Sequence, residues 1–187
     1  MKHKIQEELG GIVTLVAVIW LIFVLDLVLP VALNAWGLIP RELPGLVGIA
    51  TMPLLHADFA HLTGNTIPLL VLLCLLAGSR ADSRASVAVI WVLGGGLLWI
   101  IGRSAVHIGA SGLINGLTAF LIVAGALERR LVSIIVAILV GVIYGGTLLS
   151  GVLPTAGPDV SWDGHLAGAV AGACVAFRQV RRRRPVS

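Results

Sequence analysis

The chain has 187 residues, of which 58% are hydrophobic and only 12% charged, with a mean hydropathy of +1.03 and a formal net charge of +4. A water-soluble domain of this length has too much surface to keep so many apolar side chains dry, so a soluble fold is excluded and lipid serves as the solvent. The modest positive charge fits membrane topology and contact with anionic lipid rather than nucleic-acid binding.

Six apolar runs follow in chain order, at residues 11–35, 61–78, 85–101, 111–127, 131–153 and 164–180. Each is near the ~20 residues a helix needs to cross ~30 Å of hydrocarbon. Lipid offers no partner to open backbone groups, so each run is expected to be a helix. The first lacks a small-residue cleavage site and is too long for a signal-peptide core, so it reads as a retained span. The expected fold is an all-α membrane protein with a short tail at 1–10, a six-transmembrane-helix domain at 11–180 and a basic tail at 181–187. With the N-terminus in the cytoplasm, Lys2, Lys4, Arg80, Arg84, Arg129, Arg130, Arg178 and the run from Arg181 to Arg184 all lie inside. Only Arg41 and Arg103 lie outside, so the positive-inside rule places both termini in the cytoplasm. No organellar targeting segment is evident, which favours a prokaryotic plasma membrane.

The longest outside connection, about 36–60, carries Pro40, Pro44 and Pro53 and is apolar enough to lie on or partly in the membrane. Gly94 to Gly96, Gly112 with Gly116, and Gly164, Gly168 with Gly172 put small residues on helix faces, which lets backbones approach closely. Cys74 and Cys174 have no metal-ligand spacing and no disulfide framework; they read as small packed residues. Trp91, Trp99 and Trp162 read as interface anchors.

Spans two, four and six are short, and each starts on its outer side with polar residues: His61 and Asn65, then Ser111, then His165. From Ser111 to Glu128 a helix covers only ~25 Å of a ~30 Å core, which submerges the serine. Polar groups at that depth are tolerable only in a protein-lined, water-filled cavity, here one open to the outside.

The submerged residues suit acyl transfer. "GASG" sets Ser111 at a loop-to-helix junction between Gly109 and Gly112, where helix N–H groups and partial positive charge favour an oxyanion. A serine hydroxyl needs a base, and His165 in "GHLAG" is the candidate, at the top of the small-residue stripe that continues through Gly168. His56 and Asn65 would donate hydrogen bonds to the tetrahedral intermediate, together with the Ser111 amide. His61 shares a helix face with Asn65. Nothing in the pattern calls for a metal or another cofactor.

"HADFAHLTGN", "GASG" and "GHLAG", in this order on a six-helix frame, resemble the rhomboid family of intramembrane serine proteases. The resemblance implies a serine–histidine dyad without an acid that cuts transmembrane segments of other membrane proteins. It implies Ser111 as nucleophile, His165 as base and then acid, His56 and Asn65 at oxyanion positions, and His61 as a brace for loop and helix. The chain departs from the family where an aromatic residue usually follows the serine by four positions. Asn115 stands there, and a hydrogen bond to His165 is the substitute it offers. His107 reads as a loop residue rather than an alternative base, and Asp163 as a solvated loop carboxylate rather than a third catalytic member. "PTAGPDVSWDG" reads as a flexible lid. The competing readings are a catalytically inactive relative that binds transmembrane helices, and a small transporter or channel.

Overall fold

The computed structural model describes residues 2–80, 83–157 and 160–183. Among the described residues six long helices carry the chain: α1 Lys2–Val28, α2 Phe59–Ser79, α3 Ser83–Ile101, α4 Ser111–Glu128, α5 Leu131–Gly151 and α6 Trp162–Arg183. Among the described residues there is no strand, only a single bridge pairing Leu38 with His107. The protein is an integral membrane protein in which α2 to α5, and α1 from Gln6, are long and apolar enough to cross a membrane. The Gly- and Ala-rich α6 is not among these five, because Asp163 and His165 begin it and arginines end it.

Helix bounds depart from the sequence reading mainly at the first run. Residues 2–10, read as a tail, are already helical, and the helix stops at Val28 rather than near residue 35. Pro30 follows within two residues and disfavours helix in the residue before it. The Asp26 carboxylate then captures the chain beyond, accepting from Leu33 N at 2.6 Å and from Asn34 Nδ2 at 2.9 Å. Of the C-terminal tail, Arg181 to Arg183 extend α6, and 184–187 lie outside the described residues.

Helix α4 is the hub. Its buried residues run from Gly112 to Gly125 and face every direction around the helix. On α6, a Cβ at Gly168 would overlap the backbone of Gly112, and one at Gly172 that of Gly116. Gly94 of α3 approaches the same seam, its imagined Cβ 3.4 Å from the Gly168 Cα. Only glycine permits this spacing, so three helices meet nearly backbone to backbone. At the far end of the bundle, Arg80, just past α2, reaches Glu128 of α4 at 3.0 Å and lies over the Phe120 ring, while Ser133 of α5 donates to the same carboxylate at 2.7 Å. Helices α1 and α5 lie outside: α5 buries only Ser133 and Val140.

The long connection between α1 and α2 folds into short helical turns, Pro44–Val47, Gly48–Thr51 and Met52–Leu54, against the end of α3. Arg41 caps that end, donating to the Gly102 carbonyl at 2.6 Å. Two of the tryptophans expected as membrane anchors also hold this segment. Trp91 donates to the Ile49 carbonyl at 2.8 Å and Trp99 to that of Glu42 at 3.0 Å. Trp162 lies under the Arg103 guanidinium.

Candidate active site

Ser111 opens α4, and the chain reaches it through a turn that demands glycine. Gly109 has φ +108°, and a Cβ there would strike the His61 ring, 2.5 Å from Nε2. Its amide donates to the Met52 carbonyl at 2.9 Å, and His107 just before it pairs with Leu38 through both backbone groups. The loop is therefore pinned to the α1–α2 connection, and the first turn of α4 keeps its N–H groups free of intrahelical partners.

His165 lies one turn into α6, carried to α4 by the glycine seam. Its Nε2 stands 2.8 Å from Ser111 Oγ, and its Nδ1 stands 2.9 Å from the Gly151 carbonyl at the end of α5. A carbonyl only accepts, so the ring proton resides on Nδ1 and Nε2 is left to accept from the serine hydroxyl. Both groups line a cavity of about 430 Å³ with His61, His107, Ile108 and Ser161.

His56 and Asn65 do not line that cavity. They border a narrow gap with Ala110, Thr66 and Leu69, and Asn65 Nδ2 lies 3.6 Å from where a Cβ on Gly109 would stand. His56 is 2% exposed and Asn65 7%; Asn65 Nδ2 has no hydrogen-bond partner, and the His56 ring makes no well-formed hydrogen bond, its nearest approach being to the Leu54 backbone. Buried polar atoms left open are rare because they cost about 1–3 kcal/mol each. Burial first, and the neighbouring His61 second, pull His56 from the usual 6.5 down to about 4, so it is neutral at physiological pH. The His61 ring packs edge-on against it at 5.0 Å, while the His61 amide donates to the Asp58 cap of α2 at 2.7 Å.

Two expectations about neighbouring residues, Asn115 and Asp163, are corrected, and the reading of His107 as no alternative base stands. Asn115 does not bond to His165; its Nδ2 donates back to the Ser111 carbonyl at 2.9 Å. Asp163 is not a solvated loop carboxylate. It is 3% exposed, accepts from Arg103 N at 2.7 Å and pairs with the Arg103 guanidinium at 3.3 Å. His107 is equally buried; Nδ1 meets Ser161 Oγ at 2.7 Å and Nε2 the Arg103 carbonyl at 3.1 Å. With both nitrogens committed, His107 has none to offer Ser111. Together these residues clasp the α3–α4 loop to the start of α6. Arg103, Ser161 and Gly151 were invisible to sequence reasoning: a loop arginine, a loop serine and a backbone carbonyl carry no motif.

Among the described residues, no group of three or more His, Cys, Asp or Glu side chains is placed to hold a metal ion. A second hollow of about 300 Å³, near Glu8, Ser83 and Trp91, lies toward the opposite ends of the helices from Ser111 and is lined mostly by apolar side chains.

A family model described as "Rhomboid domain" matches residues 44–182. The chain is 44% identical over 180 residues to "Uncharacterized protein Rv1337" of Mycobacterium tuberculosis, covering 90% of this chain and 74% of the relative. "Uncharacterized protein Mb1372" of Mycobacterium bovis shows the same identity and coverage. "Uncharacterized protein ML1171" of Mycobacterium leprae is 41% identical over 186 residues, covering 94% and 73%. No solved structure gives a significant match.

Proposed function

Because this chain belongs to the rhomboid family, we propose that it is an active intramembrane serine endopeptidase that cleaves transmembrane segments of other membrane proteins near their outer ends. The observation that carries the reading is the 2.8 Å contact between Ser111 Oγ and His165 Nε2 at the wall of a cavity. Ser111 attacks the scissile carbonyl as Nε2 takes its proton. The imidazolium returns that proton to the leaving amine, and water drawn from the cavity hydrolyses the acyl-enzyme. The Ser111 amide stabilises the oxyanion, joined by His56 and by Asn65, whose open amide donor is the kind of unmet valence a transient charge satisfies. Gly109, Gly112 and Gly168 serve the site by letting backbones close around it.

In this reading the domain at 11–180 spans a prokaryotic plasma membrane six times, with α6 as the sixth span. The cavity opens to the outside, and the tails at 1–10 and 181–187 face the cytoplasm. Eleven of the 13 basic residues then lie on the inner side. The substrate is a membrane-embedded helix entering sideways from the lipid, and the chemistry needs no cofactor.

The test is cleavage of a reporter transmembrane substrate by detergent-purified protein, alongside labelling of the protein by a fluorophosphonate. Wild type is expected to do both, and Ser111→Ala neither. Cleavage surviving in Ser111→Ala overturns the mechanism. Failure of wild type to cleave or label favours the inactive, helix-binding reading, against which the intact dyad counts.

A further inference from the structure

The dyad has no acid, yet Nδ1 of its histidine is not idle. The last carbonyls of a helix have no partner within that helix. At the end of α5 the carbonyl of Gly151 meets His165 Nδ1 at 2.9 Å. We propose that Gly151 is a positioning residue for the dyad, its carbonyl at the negative pole of α5 doing for His165 what a carboxylate does in a three-membered relay. The inference rests on the serine-protease reading above.

Two effects follow from the contact. Nδ1–H must point at the carbonyl, so Nε2 presents its lone pair to Ser111 Oγ 2.8 Å away. When the serine proton moves to Nε2, the ring becomes an imidazolium facing the partial negative charge of a helix C-terminus, which stabilises cations. Nδ1–H stays on the ring throughout; only the serine proton moves.

The residue type matters as much as the backbone. A Cβ at position 151 would stand 3.1 Å from Nδ1, tighter than side chains ordinarily pack, so any larger residue must push the ring or the carbonyl aside. The same helix holds glycines that show the contrast: at Gly141, Gly145 and Gly146 a Cβ would meet nothing within 4 Å. Beyond Val140, no residue of α5 is buried. The half of the helix that carries the orienting carbonyl is thus the half least held by the bundle. A displacement of that end withdraws the carbonyl from His165, which makes the tautomer of the base depend on where α5 stands.

The experiment is ¹⁵N NMR of histidine-labelled protein in detergent, with the His165 signals identified by their loss in His165→Asn. A protonated Nδ1 and a bare Nε2 are expected; the Nε2–H tautomer overturns the inference. In parallel, Gly151→Ala is expected to lower kcat by up to about tenfold, less than the hundredfold of a full ångström's misplacement because the ring need give by only a fraction of that. Its KM and thermal midpoint should stay near wild type, and Gly146→Ala should match wild type in all three. Equal kcat for Gly151→Ala and wild type sinks the proposal while leaving the protease reading standing. A wild type that neither cleaves nor takes a fluorophosphonate sinks that reading instead. If Gly151→Ala does not fold, the wild-type tautomer alone decides.

Discussion

Ser111 and His165 lie 54 residues apart in the chain and 2.8 Å apart in space. The hydroxyl opens α4, the imidazole lies in the first turn of α6, and the pair meets because glycines let those helices touch backbone to backbone. If the two act as one unit, their losses do not add. Ser111→Ala, His165→Ala and the double variant are each expected to lose roughly three orders of magnitude or more in kcat, to the same residual level. Kinetics on all three variants check this, and a double variant much slower than either single one would mean that the residues act separately.

Gly168 sets the spacing of the seam, since any Cβ there overlaps the backbone of Gly112. Backbone cannot swing away as a side chain does, so Gly168→Ala should cost about 1–3 kcal/mol or more of stability. It should also pull His165 from Ser111. Gly145→Ala, facing open space on α5, is the comparison. Thermal unfolding in detergent of both variants, with cleavage rates, separates the two outcomes.

His56 makes stability depend on pH. Its folded value lies near 4, against 6.5 for an ordinary histidine. Between those values the unfolded chain binds a proton that the folded chain refuses, so stability rises with pH across this window. On acidification, the contribution present above about 6.5 is lost progressively and levels off below about 4. The melting temperature of His56→Gln, which cannot titrate, should fall less steeply than that of wild type between pH 6.5 and 4. Parallel curves would show that His56 does not carry the effect.

Asp163 holds the start of α6 two residues before His165, the proposed base. Asp163→Ala removes charge-assisted hydrogen bonds to Arg103 and leaves its amide facing an empty site. A loss of about 1.5–3 kcal/mol is expected, moderated by the partial exposure of the Arg103 side chain. Cleavage should slow with it, as His165 loses its footing. Chemical denaturation and turnover measured on one preparation check both.

Much of this protein is legible in its sequence because lipid makes few demands and enforces them strictly. Hydrophobic runs long enough to span had to be helices, and α2 to α5 begin and end within about two residues of their apolar runs. The first run misled at both ends. Hydropathy cannot register a carboxylate such as Asp26 capturing the chain beyond Pro30, nor a polar segment such as 2–10 that simply continues a helix. Polar residues at the starts of short spans marked Ser111, His165 and Asn65, since burying them makes sense only where protein receives them.

What the sequence by itself determined is the solvent, the helices and the polar residues that mark the candidate site, all set by side-chain type and spacing along one element. Only the tertiary structure decided the partners. Asn115 turned to its own helix, Asp163 and His107 were drawn into a clasp with Arg103, and the carbonyl of Gly151 met Nδ1 of His165. Such choices depend on which unsatisfied group lies within hydrogen-bonding reach once distant segments pack, and a backbone carbonyl is the same at every position in the sequence.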